Sequence, residues 1–179
     1  MGLAGCEENV GGSVRLEQLE RADFAVIRPW IDPALFRIFR EPVDDAQLES
    51  LLTRHEDDRP VSLGYRIVRA RDSEVVGMVH AVIDWGNQLA HVQQIVVGVP
   101  GVRNSGVGTA SLRLLMRVCF EDLGLHRVQI FVDDDNAAAI ACYKKAGFSD
   151  EGLMRDAART KDGYKSWHSM SVLEDEWRR

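Results

Sequence analysis

Two glycines, Gly106 and Gly108, stand in the run Pro100-Gly101-Val102-Arg103-Asn104-Ser105-Gly106-Val107-Gly108-Thr109, directly after an apolar stretch that ends at Val99. A strand that feeds a glycine-bearing turn and then a helix start is a device for holding an anion. The first-turn amides have no partners within the helix, they point outward, and the helix dipole adds about half a positive charge there. Gly106 and Gly108 permit positive φ and leave no Cβ between the main chain and a phosphate. The run is not a Walker loop, because no Gly-Lys-Ser or Gly-Lys-Thr follows, and it lacks the third glycine of a dinucleotide fingerprint. Alone, such a turn is equally an ordinary way to enter a helix. A second pair lies further on: Asn136 opens a helical stretch, and Tyr143, seven residues later, falls nearly two turns along the same face. Asn136 suits a helix cap, and a tyrosine in an alanine-rich helix also reads as core. The cysteines Cys6, Cys119 and Cys142 show no Cys-x-x-Cys or zinc-ligand spacing, so reduced thiols and no metal are expected.

The elements that must position these residues follow from periodicity. Val14 to Leu19 alternates as a half-buried strand does, Ala22 to Ile31 is a short helical stretch interrupted at Pro29, and Ala46 to His55 is a helix with Leu48, Leu51 and Leu52 on one face. Leu63 to Ala70 and Val75 to Asp84 read as a hairpin, Ala90 to Val99 as a third strand, and a long, largely buried helix runs from the glycine loop to about Leu123. His126 to Val132 is a strand, Asn136 to Ala146 a helix capped by Gly147, and Phe148 to Met154 and Tyr164 to Leu173 are late strands. This order predicts an α/β fold, a mixed central sheet flanked by helices. Residues 1–12 are expected to be a mobile leader and 13–179 a single domain.

Taken together, the motifs resemble those of the GNAT superfamily of acyl-CoA N-acyltransferases. Arg103-Asn104-Ser105-Gly106-Val107-Gly108 fits its Arg/Gln-x-x-Gly-x-Gly/Ala signature, and Asn136 to Phe148 resembles its Asn-x-x-Ala-x-x-x-Tyr-x-x-x-Gly-Phe motif. Glu151-Gly152, Arg155, Asp162-Gly163 and Met170 are similar to the tail of the ribosomal-protein alanine, phosphinothricin and spermidine acetyltransferase branches, although Ser166 stands where those often have Asp. The resemblance spans residues from about 88 to 173. It implies acetyl-CoA as cosubstrate, with the pantetheine arm beside Val96, Val97 and Gly98. The pyrophosphate would rest on the amides of Asn104, Ser105, Gly106, Val107, Gly108 and Thr109, with Arg103 at the rim and the Thr109 hydroxyl as a further donor. Lys144, Lys145, Arg113 and Arg117 would meet the nucleotide phosphates or form a solvated face. It also implies that Asn136 touches the cofactor arm, that Val97 N–H polarises the acyl carbonyl, and that Tyr143 protonates the departing thiolate.

The base is left open. The two positions at which family members carry a carboxylate correspond to Phe131 and Val92, both apolar. His91 is the nearest imidazole, with strand parity leaving its face in question; Asp84, beside Trp85, is the next choice, and a water-relayed path is the third. His80, His126 and His168 read as strand surface or core. At pH 7 a lysine amine is neutral about 0.04% of the time and an α-amino group roughly 10–17%, so a lysine or polyamine needs such a path more. Residues 20–60 are the expected acceptor wall. Trp30, Phe36, Phe39 and Trp85 would line an apolar slot, and Glu41, Asp44, Asp45, Glu56, Asp57 and Asp58 would attract a cationic amine.

Composition bounds the rest. The 179 residues carry 22 basic and 28 acidic side chains, a net charge of −6 that argues against a nucleic-acid partner or a polybasic membrane surface. No apolar run approaches the ~18 residues of a membrane span. The expected protein is a cytoplasmic N-acetyltransferase that transfers acetyl from acetyl-CoA, by direct attack on the thioester, to a primary amine of a small molecule, a polyamine or a protein N-terminus. A homodimer is a family-level expectation, and a non-catalytic acyl-CoA-binding module is the alternative.

Overall fold

Apolar residues alternate along stretch after stretch between Val14 and Leu173, and each stretch buries one face by pairing with its neighbours. The structure, a computed structural model, describes residues 7–8, 14–39, 44–160 and 162–179, with the backbone alone for 7–8 and 32–39. In chain order the elements are β1 (Glu7–Glu8), β2 (Val14–Gln18), α1 (Phe24–Phe39), α2 (Asp45–Ser50), β3 (Arg54–Glu56), β4 (Arg59–Arg69), β5 (Val75–Asp84) and β6 (Leu89–Val97). They continue with α3 (Val107–Arg117), β7 (Arg127–Asp133), α4 (Ala137–Ala146), β8 (Ser149–Thr160), β9 (Gly163–Leu173) and α5 (Glu174–Trp177). Among the described residues nine strands form one sheet in the order β1-β2-β4-β5-β6-β7-β9-β8, with β3 beside β4. All neighbours are antiparallel except β6 and β7.

The expected mixed sheet is present with several differences: β4 begins at Arg59, β8 runs on to Thr160, a short helix α5 follows β9, and four further departures have identifiable causes. Glu7–Glu8, inside the expected leader, pair with Arg15 and Val14; Cys6 lies outside the described residues. Helix α1 runs through Pro29 to Phe39 instead of breaking. Ile27 and Ile31, four apart and both fully buried, contribute about 3–6 kcal/mol of burial, enough to offset the ~3 kcal/mol of an interior proline. Helix α2 stops at Ser50, short of His55. Its exit turn is held on β4, where Ser62 Oγ donates to Leu52 O at 2.9 Å and a Cβ on Gly64 would lie 1.8 Å from Leu51 O. Residues Arg54–Glu56 then pair with β4. Finally, α3 ends in a π turn over Val118–Asp122, within the helix expected to reach Leu123.

The sheet divides the interior in two. On one face Val79, Ala81, Val92, Val128, Ile130 and Val132 pack with Leu112, Leu115 and Met116 of α3 and with Tyr143 of α4. On the other, Met78 and Val96 pack with Ile27, Trp30 and Ile31 of α1 and Leu48 and Leu51 of α2. Asp23 fixes the entry to α1: its carboxylate accepts from Glu20 N–H at 2.9 Å and from Arg66 at 3.0 and 3.2 Å.

Candidate active site

Strands β6 and β7 pair for only four residues, Leu89–Val92 against Arg127–Ile130. Beyond that, β6 keeps to β5 and β7 keeps to β9, so a fork opens between residues 93–97 and 131–133. Its cause is a β-bulge: Ala81 faces Val92 but His80 faces Gln94, which leaves Gln93 as the extra residue that bends the strand. Gly98 N–H donates to Val76 O at 2.8 Å. By strand alternation the main-chain groups of Val97 and Ile95 therefore point away from β5, into the fork. The Val97 carbonyl is covered by Arg103, whose Nε donates to it at 3.1 Å. The open amides are those of Ile95 and Val97, and Ile95, not chosen from the sequence, lies closer to the apex.

The glycine loop closes the wide end. Asn104 and Gly106 both have positive φ, 61° and 89°. Among the described residues, no acceptor takes the main-chain N–H groups of Asn104 to Thr109: the first loop-to-helix bond is Ala110 N–H to Gly106 O, and Gly106 has no side-chain cap. A Cβ built on Gly106 meets nothing within 4 Å. The amides that the sequence reading assigns to an anion are thus free of partners among the described residues. Gly108 has a different role, because its Cβ would sit 3.1 Å from Cys142 Sγ and 4.0 Å from Val97 Cγ2. It is the point where α3, α4 and the end of β6 meet. Val107 is buried, Ser105 Oγ donates to Val102 O at 2.5 Å, and the Thr109 hydroxyl lies 3.4 Å from Cys142 Sγ. The Ser105 hydroxyl is thus turned back on its own loop, and the Thr109 hydroxyl, expected as a further donor to the anion, lies toward α4. Arg113 donates to Lys145 O at 2.9 Å, tying α3 to the end of α4.

Asn136 caps α4 as expected, its Oδ1 accepting from Ala139 N–H at 3.1 Å. Tyr143 is 8% exposed, with its ring 6.1 Å from that of Phe148. Burial pushes the phenol well above its ordinary value, with the neighbouring Cys142 adding to the effect. It is therefore protonated throughout the neutral range, and no described residue hydrogen-bonds it. Gly98, expected beside the cofactor arm, packs its Cα side on Trp30: a Cβ there would lie 1.9 Å from the indole. Val96 packs on the same α1 face.

His91 lies on the α1–α2 face, which settles its parity. Its ring meets Phe131 edge-on at 4.7 Å, Phe131 stacks on Trp167 at 6.0 Å, and Gln93 Nε2 lies 3.1 Å from Nδ1. Burial lowers its pKa, so the ring is neutral at pH 7. Asp84 is removed from the fork. Four residues beyond His80, roughly 13 Å along the strand, it closes the β5–β6 turn by accepting from Asn87 N–H at 3.1 Å and Asn87 Nδ2 at 2.7 Å. Trp85 also belongs to that turn, donating to Pro60 O at 2.8 Å. Of the acids expected to draw a cation, Asp44 and Asp45 are engaged elsewhere, while Glu56, Asp57 and Asp58 are exposed at the end of β3 and in the turn after it. Asp44 caps α2, Asp45 pairs with Arg28, and Asp57 and Asp58 occupy positive-φ turn positions. Glu41 and the side chains of Phe36 and Phe39 lie outside the described residues.

Sequence reasoning missed the centre of the α2-side pocket. His80, 6% exposed, and Gln94 face each other across β5 and β6, and neither His80 Nε2 nor Gln94 Oε1 has a partner among the described residues. Burial, with repulsion from Arg54 added, lowers His80 to about 4. A polar residue at each of two adjacent in-facing strand positions was the available signal. Among the described residues no group of three or more His, Cys, Asp or Glu side chains could hold a metal, and no helix is long and apolar enough to cross a membrane.

Residues 24–148 match the model of the acetyltransferase (GNAT) family. Spermidine N(1)-acetyltransferase of Escherichia coli (strain K12) is 28% identical over 181 residues, covering 92% of this chain and 88% of that protein. L-amino acid N-acetyltransferase AaaT of the same strain is 30% identical over 110 residues, 61% of this chain and 68% of that one. The crystal structure of spermidine N-acetyltransferase from Vibrio cholerae in complex with CoA and spermine superimposes with a TM-score of 0.77 at 22% identity, covering 93% and 98% of the two chains, and so shares the fold.

Proposed function

The chain belongs to the acetyltransferase (GNAT) family, and from that premise we propose that the fork between β6 and β7 is where it moves an acetyl group from acetyl-CoA to a primary amine. The enzyme is an acetyl-CoA-dependent N-acetyltransferase; two of its relatives are named for spermidine and L-amino acids, and another is named an N-alpha-acetyltransferase. The observation that carries the site assignment is the row of unpartnered amides from Asn104 to Thr109 at the mouth of a fork whose apex exposes the amides of Ile95 and Val97. The first set suits a diphosphate. The second suits the carbonyl oxygen that becomes an oxyanion.

The amine nitrogen attacks the thioester carbon, the oxygen takes the negative charge beside the open amides, and collapse breaks the C–S bond. Tyr143 hydrogen-bonds the leaving sulfur. Because burial raises the phenol far above an ordinary thiol, Tyr143 supports the departing thiolate by donating that hydrogen bond and keeps its own proton. The proton lost by the amine passes toward His91 directly or through water, His91 being the neutral imidazole nearest the apex. Free thiols at Cys119 and Cys142 support residence in a reducing compartment, the cytoplasm. Leu153 and Met154, 50% and 41% exposed on edge strand β8, support a homodimer through that edge.

The test is thiol release from acetyl-CoA across a panel of amines, alongside calorimetric titration with CoA. Acceptor-dependent release supports the reading. CoA binding without any acceptor-dependent release would leave a binding module in its place.

A further inference from the structure

Between α2 and the sheet lies a cavity of about 330 Å³, walled by Arg54 on β3, by His80 and Val82 on β5 and by Gln93 and Gln94 on β6. It adjoins the fork, since Gln94 immediately precedes Ile95, whose amide opens into the apex. Its polarity is specific. His80 and Gln94 line it, with His80 Nε2 and Gln94 Oε1 themselves closed off from solvent and without a partner among the described residues. Arg54 brings the one formal charge among the described lining residues, because the imidazole of His80 is neutral. The Arg54 guanidinium makes no ion pair with a described carboxylate, and its Nε reaches only the Ser62 hydroxyl, at 3.4 Å. Two acids of α2 are ion-paired with other cations, Asp45 with Arg28 and Glu49 with Arg21, while Glu56, the next acid along β3, is exposed. A polycation entering here would bring its charges toward a guanidinium. A carboxylate would find in it a planar, two-pronged donor.

We propose that this cavity is the acceptor subsite and that it selects amines bearing a carboxylate, amino-acid-like acceptors whose anion lies at Arg54 while the amine lies beside Gln94 at the fork. The proposal rests on the reading of the fork as the acyl-transfer centre and adds the acceptor class to it. No covalent step beyond acetyl transfer is involved.

The test compares α-amino acids with their carboxamides and with spermidine in thiol release from acetyl-CoA, products being confirmed by mass. Comparing wild type with variants cancels the difference in amine pKa between acid and carboxamide. Arg54→Ala should lower the ratio of kcat/KM for acid over carboxamide at least tenfold, mainly through KM, with CoA affinity by calorimetry unchanged. Arg54→Lys should retain most of that ratio, and Arg54→Glu should shift preference toward spermidine. An unchanged ratio in a folded Arg54→Ala protein, or spermidine as the best acceptor of the wild type, overturns the proposal while leaving acetyl transfer intact. Bound CoA with no turnover for any amine overturns both.

Discussion

Tyr143 separates two contributions that a single activity measurement would merge. Its ring is core, packed near Phe148, while its hydroxyl has no described partner. Tyr143→Phe therefore keeps the packing and removes the donor. Turnover should fall roughly 10²–10³-fold, the scale of losing one hydrogen-bond donor to a developing negative charge, with CoA affinity by calorimetry little changed; equal loss of both would make the tyrosine structural. His80 gives a second residue-scale prediction, about pH. Its folded value near 4 lies below the ordinary 6.5, so between those limits the unfolded chain binds a proton that the folded one does not. Stability is then full above 6.5 and falls as pH drops toward 4, by about 2–3 kcal/mol from this group. Urea denaturation at pH 7 and pH 4.5 should show a larger loss for wild type than for His80→Gln. Equal losses would mean that the imidazole is solvated.

Elements set where these residues meet, and glycines mark the closest approaches. Gly106 needs its conformation, since φ is 89° with open space beyond. Gly106→Val introduces left-handed strain of about 1–2 kcal/mol or more and places methyl groups over the cradle. CoA affinity should drop at least tenfold while circular dichroism stays native; unaltered affinity in a folded variant would move the phosphates elsewhere. Gly98 needs space instead, because Trp30 occupies its Cβ position at 1.9 Å. Gly98→Ala must push α1 from the end of β6, so tryptophan fluorescence should shift and the melting temperature fall. A native spectrum with native stability would show that the indole moves freely.

For the whole molecule, the edge strand β8 leaves Leu153 and Met154 in water. If they form the dimer, sedimentation of wild type should give twice the mass of the chain, and the double change Leu153→Arg, Met154→Arg should give the monomer with its fold retained; a monomeric wild type removes the dimer. The sequence by itself determined the elements around the loop and the helix that carries Tyr143, because glycine position, capping by Asn136 and apolar periodicity are local and act within a few residues. It also made legible the amides at 106–109, which the start of a helix leaves without intrahelical partners. Only the tertiary structure decided that β6 bends at Gln93, that Ile95 joins Val97 in the fork, that Asp84 belongs to a turn, and that His80, Gln94 and Arg54 surround one cavity. Those outcomes depend on strand register and on which side chains cross from neighbouring strands, and a one-residue bulge reverses the facing of what lies beyond it.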